Sequence, residues 1–97
     1  MKGYAQQKVS GGKLVGVRVE YTDKIDRIQI LGDFFMHPEE SIFKIEEALL
    51  GAPLSESEWD IAERIRRVAD ANKVEMLGVT PEAIAATIKL AVKRDEV

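Results

Sequence analysis

Two runs of strict alternation, LVGVRVEYT (Leu14–Thr22) and IDRIQIL (Ile25–Leu31), stand two residues apart, and no other feature restricts the fold as much. In the first run Val15, Val17, Val19 and Tyr21 fall on one face, with Gly16, Arg18, Glu20 and Thr22 on the other. In the second, Ile28 and Ile30 oppose Arg27 and Gln29. A period of two predicts half-buried strands, because successive side chains of a strand point to opposite faces. The short polar break at Asp23 and Lys24 predicts that the two strands form an antiparallel hairpin. Upstream, YAQQKV (Tyr4–Val9) is a weaker strand, joined through Ser10-Gly11-Gly12-Lys13, whose glycines accept positive φ. The expectation is a three-stranded antiparallel meander.

Helical patterns fill the rest of the chain. Pro38 suits a first helical position, Glu39 and Glu40 suit the positive end of the helix dipole, and Ile42, Ile45 and Leu49 form an apolar stripe that stops at Gly51. Ser55 and Glu58 match the capping-box spacing and predict a second helix with Trp59, Ala62, Ile65 and Val68 or Ala69 turned inward. Its other face, with Glu63, Arg64, Arg66, Arg67 and Asp70, reads as solvated. The segment VEMLGV (Val74–Val79) fits a short strand or an extended connection turning at Gly78. Thr80 and Pro81 then open a last helix bearing Ile84, Ile88, Ala91 and Val92. The order β-β-β-α-α-α predicts an α+β two-layer sandwich, a small three-stranded antiparallel sheet covered by about three helices on one face. Residues 1–97 read as a single domain.

Size and composition narrow the function. A chain of 97 residues, 45% hydrophobic and 32% charged, is expected to build one small core. At this length a domain buries about 60–65% of its unfolded surface, which leaves little room for a deep catalytic cavity. The net charge is −3 and the basic residues are dispersed or sit beside acids, so nucleic acid is not expected as a partner. With no cysteine, disulfides, thiolate nucleophiles and thiolate metal sites are excluded. MKGYAQQKVSGG lacks an apolar leader core, and no apolar run approaches the roughly 20 residues of a membrane span, so a cytoplasmic protein without membrane contact is expected.

Candidate chemistry is sparse. In SGGKL a leucine follows the lysine and a strand follows the turn, whereas a phosphate loop needs Ser or Thr after the lysine and a helix beyond it. His37 with Glu39 and Glu40 contains metal-ligand residue types, but it is the chain's one imidazole and both glutamates are accounted for by a helix start. No arrangement of serine, histidine and acid, and no carboxylate pair, stands out. The unusual stretch is GDFF followed by Met36: Gly32 breaks the strand pattern, Asp33 can accept hydrogen bonds from nearby backbone, and Phe34 and Phe35 follow without polar relief. In an extended segment adjacent side chains point to opposite sides, which turns one phenylalanine outward, toward a partner.

Taken together, KVSGGKLVGVRVEY, IQILGDFF, HPEE, IEEALLG and GVTPEAIAATI resemble the C-terminal accessory domain of lipoate-protein ligases, and above all the form that is a separate small subunit in two-component archaeal-type enzymes. The resemblance runs from about Lys8 to the last helix. Its specific parts are the K-x-x-G-G-K-L turn and the G-D-F-F joint in that order; Ser10 departs from it, standing where relatives commonly carry a proline that stiffens the turn. The family uses ATP and magnesium to convert lipoate to lipoyl-adenylate, then transfers the lipoyl group to a lysine of an acceptor protein. The resemblance implies a non-catalytic subunit required for the adenylation step, with no catalytic residue, metal or cofactor of its own. ATP, magnesium and lipoate would belong to the complex. The expected partner is the large catalytic subunit, in a heterodimer, with lipoyl acceptor proteins met indirectly. The matching positions make Lys8, Gly11, Gly12, Lys13, Leu14, Gly32, Asp33, Phe34 and Phe35 the expected interface. Contact of Lys8 or Lys13 with an ATP phosphate is an open alternative to their being solvated turn lysines.

Two other readings compete with this one. Sulfur-transfer and iron-sulfur scaffold proteins share this order of strands and helices but act through cysteine, so the likeness stays at the level of fold. A free-standing small-ligand-binding or regulatory domain would use the apolar joint as a pocket wall or a homodimer seam.

Overall fold

In a computed structural model, which describes residues 1–9 and 11–93, the alternating runs form a sheet whose apolar face is roofed by helices. Ser10 of the expected turn lies outside the described residues, as do positions 94–97 of the expected domain. Strands β1 (Lys2–Lys8), β2 (Leu14–Tyr21) and β3 (Ile25–Gly32) make an antiparallel meander in the order β1-β2-β3. Alternation sets the register: Lys2 to Lys8 run opposite Glu20 to Leu14, and Val15, Val17 and Val19 face Gly32, Ile30 and Ile28. A β-bulge at Glu20/Tyr21 adds one residue on the β3 side before Tyr21 pairs with Ile25.

Val15, Val17, Val19 and Tyr21 are buried on the inner face, joined by Ala5, Ile25 and Ile30. Over them lie α1 (Ser41–Leu49), α2 (Glu58–Ala71) and α3 (Pro81–Lys93): α3 crosses β1 and β2, α1 lies beside β3, and α2 packs on both other helices. Ile45, Leu49, Ile61, Ile65, Ile84 and Ile88 carry the helical side of the core. The helix backbone comes so close to β1 at Gly3 that a Cβ there would lie 2.1 Å from the Ala91 carbonyl oxygen. The loop after α1 ties down the far end of the hairpin: Gly51 N–H donates to the Ile25 carbonyl at 2.8 Å and Ile25 N–H to the Ala52 carbonyl at 3.0 Å. The architecture is the α+β sandwich of one three-stranded sheet and three helices that the sequence predicts.

Several local features depart from the sequence expectation. Phe35–His37 is a strand, β4, and pairs antiparallel with Glu75–Leu77, β5, in a separate two-stranded sheet. The ambiguous segment is therefore a strand, and its partner is the joint itself. After β4 the chain turns at 38–41, with Ser41 N–H donating to the Pro38 carbonyl at 3.0 Å, so the first helix starts at Ser41 and not at Pro38. The second helix is capped by Ser57, not Ser55, because residues 53–56 are taken up in a turn and Ser57 is the residue with extended backbone. Its hydroxyl accepts from Asp60 N–H at 3.1 Å. Trp59 thus sits in the first turn, before the helix reaches the core; it is 65% exposed under the Arg66 guanidinium, while Ile61, Ala62, Ile65 and Ala69 point inward. Thr80 caps α3 as expected, accepting from Ala83 N–H at 3.1 Å.

The loop before α2 is fastened by an ion pair. Arg64 donates from Nε to Glu56 Oε1 at 2.7 Å and from Nη2 to Oε2 at 2.6 Å, a bidentate arrangement. These hydrogen bonds hold the Glu56 carboxyl below its ordinary value near 4.5, against the opposing effect of partial burial. Both side chains keep contact with water, which limits the pair to about 0.5–1 kcal/mol. A carboxyl whose pKa is lower in the folded than in the unfolded chain stabilises the fold above the unfolded value, and that contribution disappears as pH falls through the folded one. In urea titrations Glu56→Gln is expected to be less stable than the natural chain by about that amount at neutral pH. The difference should close as pH drops below the carboxylate range; a difference that does not change with pH would exclude this account.

Candidate partner-docking site

The hairpin β2–β3 returns to the end at which it began, so the turn leading into β2 and the joint leaving β3 meet. Leu14 N–H donates to the Asp33 carboxylate at 2.6 Å, and Asp33 N–H returns a bond to the Leu14 carbonyl at 3.3 Å. The turn closes on itself through Val9 N–H to the Lys13 carbonyl at 2.8 Å and Gly12 N–H to the Val9 carbonyl at 2.9 Å. Gly11 and Gly12 have φ of 90° and 81°, a region that side chains with a Cβ rarely enter. Gly32 answers a different need: a Cβ there would lie 2.2 Å from the Leu14 carbonyl oxygen and 2.6 Å from the Phe34 ring.

Past Asp33 the chain divides its aromatics. Phe34 packs against the core and Met36 is buried, while Phe35 is 66% exposed. Opposite Phe35 in the β4–β5 register stands Leu77, 55% exposed, so the two make an apolar pair on the outer side of the small sheet. Lys13 borders this pair. Its stem crosses Gly78, where any Cβ would come within 2.8 Å of Lys13 Cγ, and its ammonium lies 5.9 Å from the Phe35 ring centroid, within cation–π range. Behind Phe35 an open groove of about 310 Å³ runs between the end of β3 and the start of α1, walled by Ile30, Leu31, Phe34 and Ile42 with Glu39 at its edge.

Of the residues singled out from the sequence, Leu14, Gly32 and Asp33 are thus in direct contact, and Phe34 and Phe35 adjoin them. Lys13 reaches across to Phe35. Lys8 ends β1 opposite Leu14 and is exposed, as are Gly11 and Gly12. Leu77 and Gly78 belong to the same surface and were not picked out; the short apolar run VEMLGV was their signal. His37 is exposed and lies across from Glu75. Among the described residues no three His, Cys, Asp or Glu side chains converge as a metal site would require, and no helix is long and apolar enough to cross a membrane.

The chain is similar to a solved chain from an archaeal lipoylation system, described as a bi-partite lipoate protein ligase and its E2 lipoyl domain from Thermoplasma acidophilum. Identity is 30%, the match covers 91% of this chain and 94% of that one, and the TM-score is 0.75. The chain belongs to the lipoate-protein-ligase-related family. No protein-family model matches it, and no curated protein does. In this ligase-related chain the turn and the joint, the two stretches on which the resemblance is most specific, form one continuous surface.

Structural and surface roles within that site separate experimentally. Gly32→Ala drives a methyl group into backbone that cannot swing aside and is expected to cost about 1–3 kcal/mol of stability. Phe35→Ala removes an exposed ring and is expected to change stability by no more than about 0.5 kcal/mol. Thermal and urea unfolding of both variants check this, and a Phe35→Ala loss as large as that of Gly32→Ala would mean that the ring is part of the core.

Proposed function

We propose that this chain is the accessory subunit of a two-component lipoate-protein ligase, its residues 1–97 one domain that docks on a large catalytic subunit and supports activation of lipoate to lipoyl-adenylate. The observation that carries this reading is the similarity, over nearly the full length of both chains, to a chain of a bi-partite lipoate protein ligase system. The site agrees with it. An exposed Phe35–Leu77 pair held on a paired two-stranded sheet offers partner contact.

In this reading ATP, magnesium and lipoate are held by the catalytic subunit, and ATP supplies the adenylyl group. The residues of the present chain act by position. Phe35 and Leu77 bury against the partner; Asp33, through Leu14, holds the Lys8–Leu14 turn beside them. Docking of such a preformed surface stabilises whichever arrangement of the partner's mobile loops it fits best, and no side-chain chemistry is needed for that. Acceptor proteins are met by the complex in the later transfer step.

The test is pyrophosphate release from ATP and lipoate by the large ligase chain, with and without this protein at subsaturating concentration. Release is expected to depend on this chain, and Phe35→Ala, with unaltered unfolding, to lower the stimulated rate about tenfold, as for a central apolar anchor worth about 1–2 kcal/mol. Equal release with and without the chain would overturn the assignment. The groove behind Phe35 is the observation that favours a small-ligand-binding domain instead; self-association that ignores the ligase chain in size-exclusion chromatography is the result expected of that alternative.

A further inference from the structure

Among the described residues no helix lies on the outer face of the β1-β2-β3 sheet, and the register arranges its side chains in rows. Lys2, Glu20 and Arg27 form one row, Tyr4, Arg18 and Gln29 the next, then Gln6, Gly16 and Leu31, and finally Lys8 beside Leu14. In these rows Lys2, Tyr4, Gln6, Lys8, Arg18, Arg27 and Gln29 are exposed, Leu14, Glu20 and Leu31 are half-buried, and Gly16 is buried. Basic residues that are dispersed along the sequence are thereby gathered on one surface: the three strands carry the cations Lys2, Lys8, Arg18 and Arg27, with Glu20 and the bulge residue Asp26 as their acids, in a chain of net charge −3. None of the four cations is ion-paired among the described residues.

The middle of the face is built, not merely bare. The Tyr4 hydroxyl donates to Gln6 Oε1 at 2.6 Å, which lays the ring along the sheet. The hydroxyl lies against Gly16, 3.4 Å from where a Cβ would stand, an ordinary van der Waals contact. The Arg18 guanidinium lies 5.6 Å from the Tyr4 ring centroid, so both groups are held in place against the sheet. At one end, through Lys8 and Leu14, the face runs without interruption into the turn and joint described above.

We infer that this cationic sheet face is the electrostatic half of the docking surface, and that it meets an acidic surface of the same ligase partner. The inference rests on the proposed function and adds to it the chemistry of the partner's contact. Continuity with the Leu14–Asp33 corner makes one partner able to cover both regions, and the excess of cations over acids on the three described strands selects a carboxylate-rich counterpart. Nucleic acid fits the face less well. Its one aromatic ring is already stacked under Arg18, and Glu20 stands between Lys2 and Arg27 where a phosphate strand would have to pass. Exposed charges of this kind act mainly on the rate of association and its dependence on salt, whereas an apolar anchor acts on the rate of dissociation.

The experiment is stopped-flow or biosensor measurement of association between this chain and the large ligase chain over a range of salt concentrations. The natural chain is compared with Arg18→Glu and Phe35→Ala, each checked for unaltered unfolding. Arg18→Glu is expected to slow association about tenfold at low salt and to flatten the salt dependence. Phe35→Ala is expected to raise the dissociation rate and leave the salt slope unchanged. If the natural chain binds and Arg18→Glu associates within about twofold of it at every salt concentration, the inference fails while the proposed function stands. If the natural chain does not bind the ligase chain at all, both fail. Tight binding of a single-stranded RNA oligonucleotide that Arg18→Glu abolishes, with ligase association unaffected, would assign the face to nucleic acid and overturn the inference.

Discussion

The register between β2 and β3 is the constraint on which the remaining features depend. Strand pairing has a side-chain period of two, so a slip of one residue would send Val15, Val17 and Val19 to water and Gly16, Arg18 and Glu20 into the core. The valines rule out every odd slip, the short connection at Asp23 and Lys24 limits the rest, and the resulting register has consequences far from the core. It sets Leu14 against Asp33, which seats the turn on the joint, and it aligns Tyr4, Arg18 and Gln29 across the outer face. The bulge at Glu20/Tyr21 preserves this outcome by taking up the odd residue at the far end of the hairpin, where the loop after α1 seals it.

Elements whose signal is local were legible in the sequence. The alternating strands, the Thr80-Pro81 helix start and the Ile84, Ile88 and Ala91 stripe all appear where their periods place them. What escaped depends on pairing between distant segments. Phe35 finds Leu77 across some forty residues of chain; VEMLGV fits a strand as well as an extended connection, and nothing in either short run names the other as its partner. Between that pairing and α1 the chain makes a turn at 38–41, and the helix starts three residues later than Pro38 suggests. Ser55 and Ser57 each precede an acidic residue by three positions, and only the turn at 53–56 selects between them. Trp59 shows the same limit: helical spacing puts it near Ala62, yet it sits ahead of the point where the helix meets the core.

The candidate site was legible in part for a topological reason. Any motif just before β2 and any motif just after β3 must become neighbours once those strands form a hairpin, so the turn and the joint could be paired from the sequence order alone. The outer sheet face was not legible in the same way. Lys2, Lys8, Arg18 and Arg27 are spaced six to ten residues apart and look dispersed; antiparallel folding brings three strands within a few side-chain widths and turns dispersal into a patch. Charge counted along a chain therefore says little about charge on a surface when the charged positions share one phase of the strand period.

A subunit without chemistry of its own can influence a partner's reaction only to the extent that it binds one of the partner's conformations better than another. That requirement favours a surface that is already in place before contact, because ordering side chains and loops on binding subtracts from the useful free energy. The features at this surface answer that requirement one by one. Phe35 is carried on a paired strand, Lys13 is laid over Gly78, the turn is tied by Asp33, and Tyr4 and Arg18 are stacked against the sheet. Moving a partner from a one per cent to a ninety-nine per cent population of its competent state takes about 10⁴-fold discrimination, more than one exposed aromatic ring supplies. In the proposed role, an apolar anchor and a charged face that engage the same partner conformation together supply a discrimination that neither reaches alone.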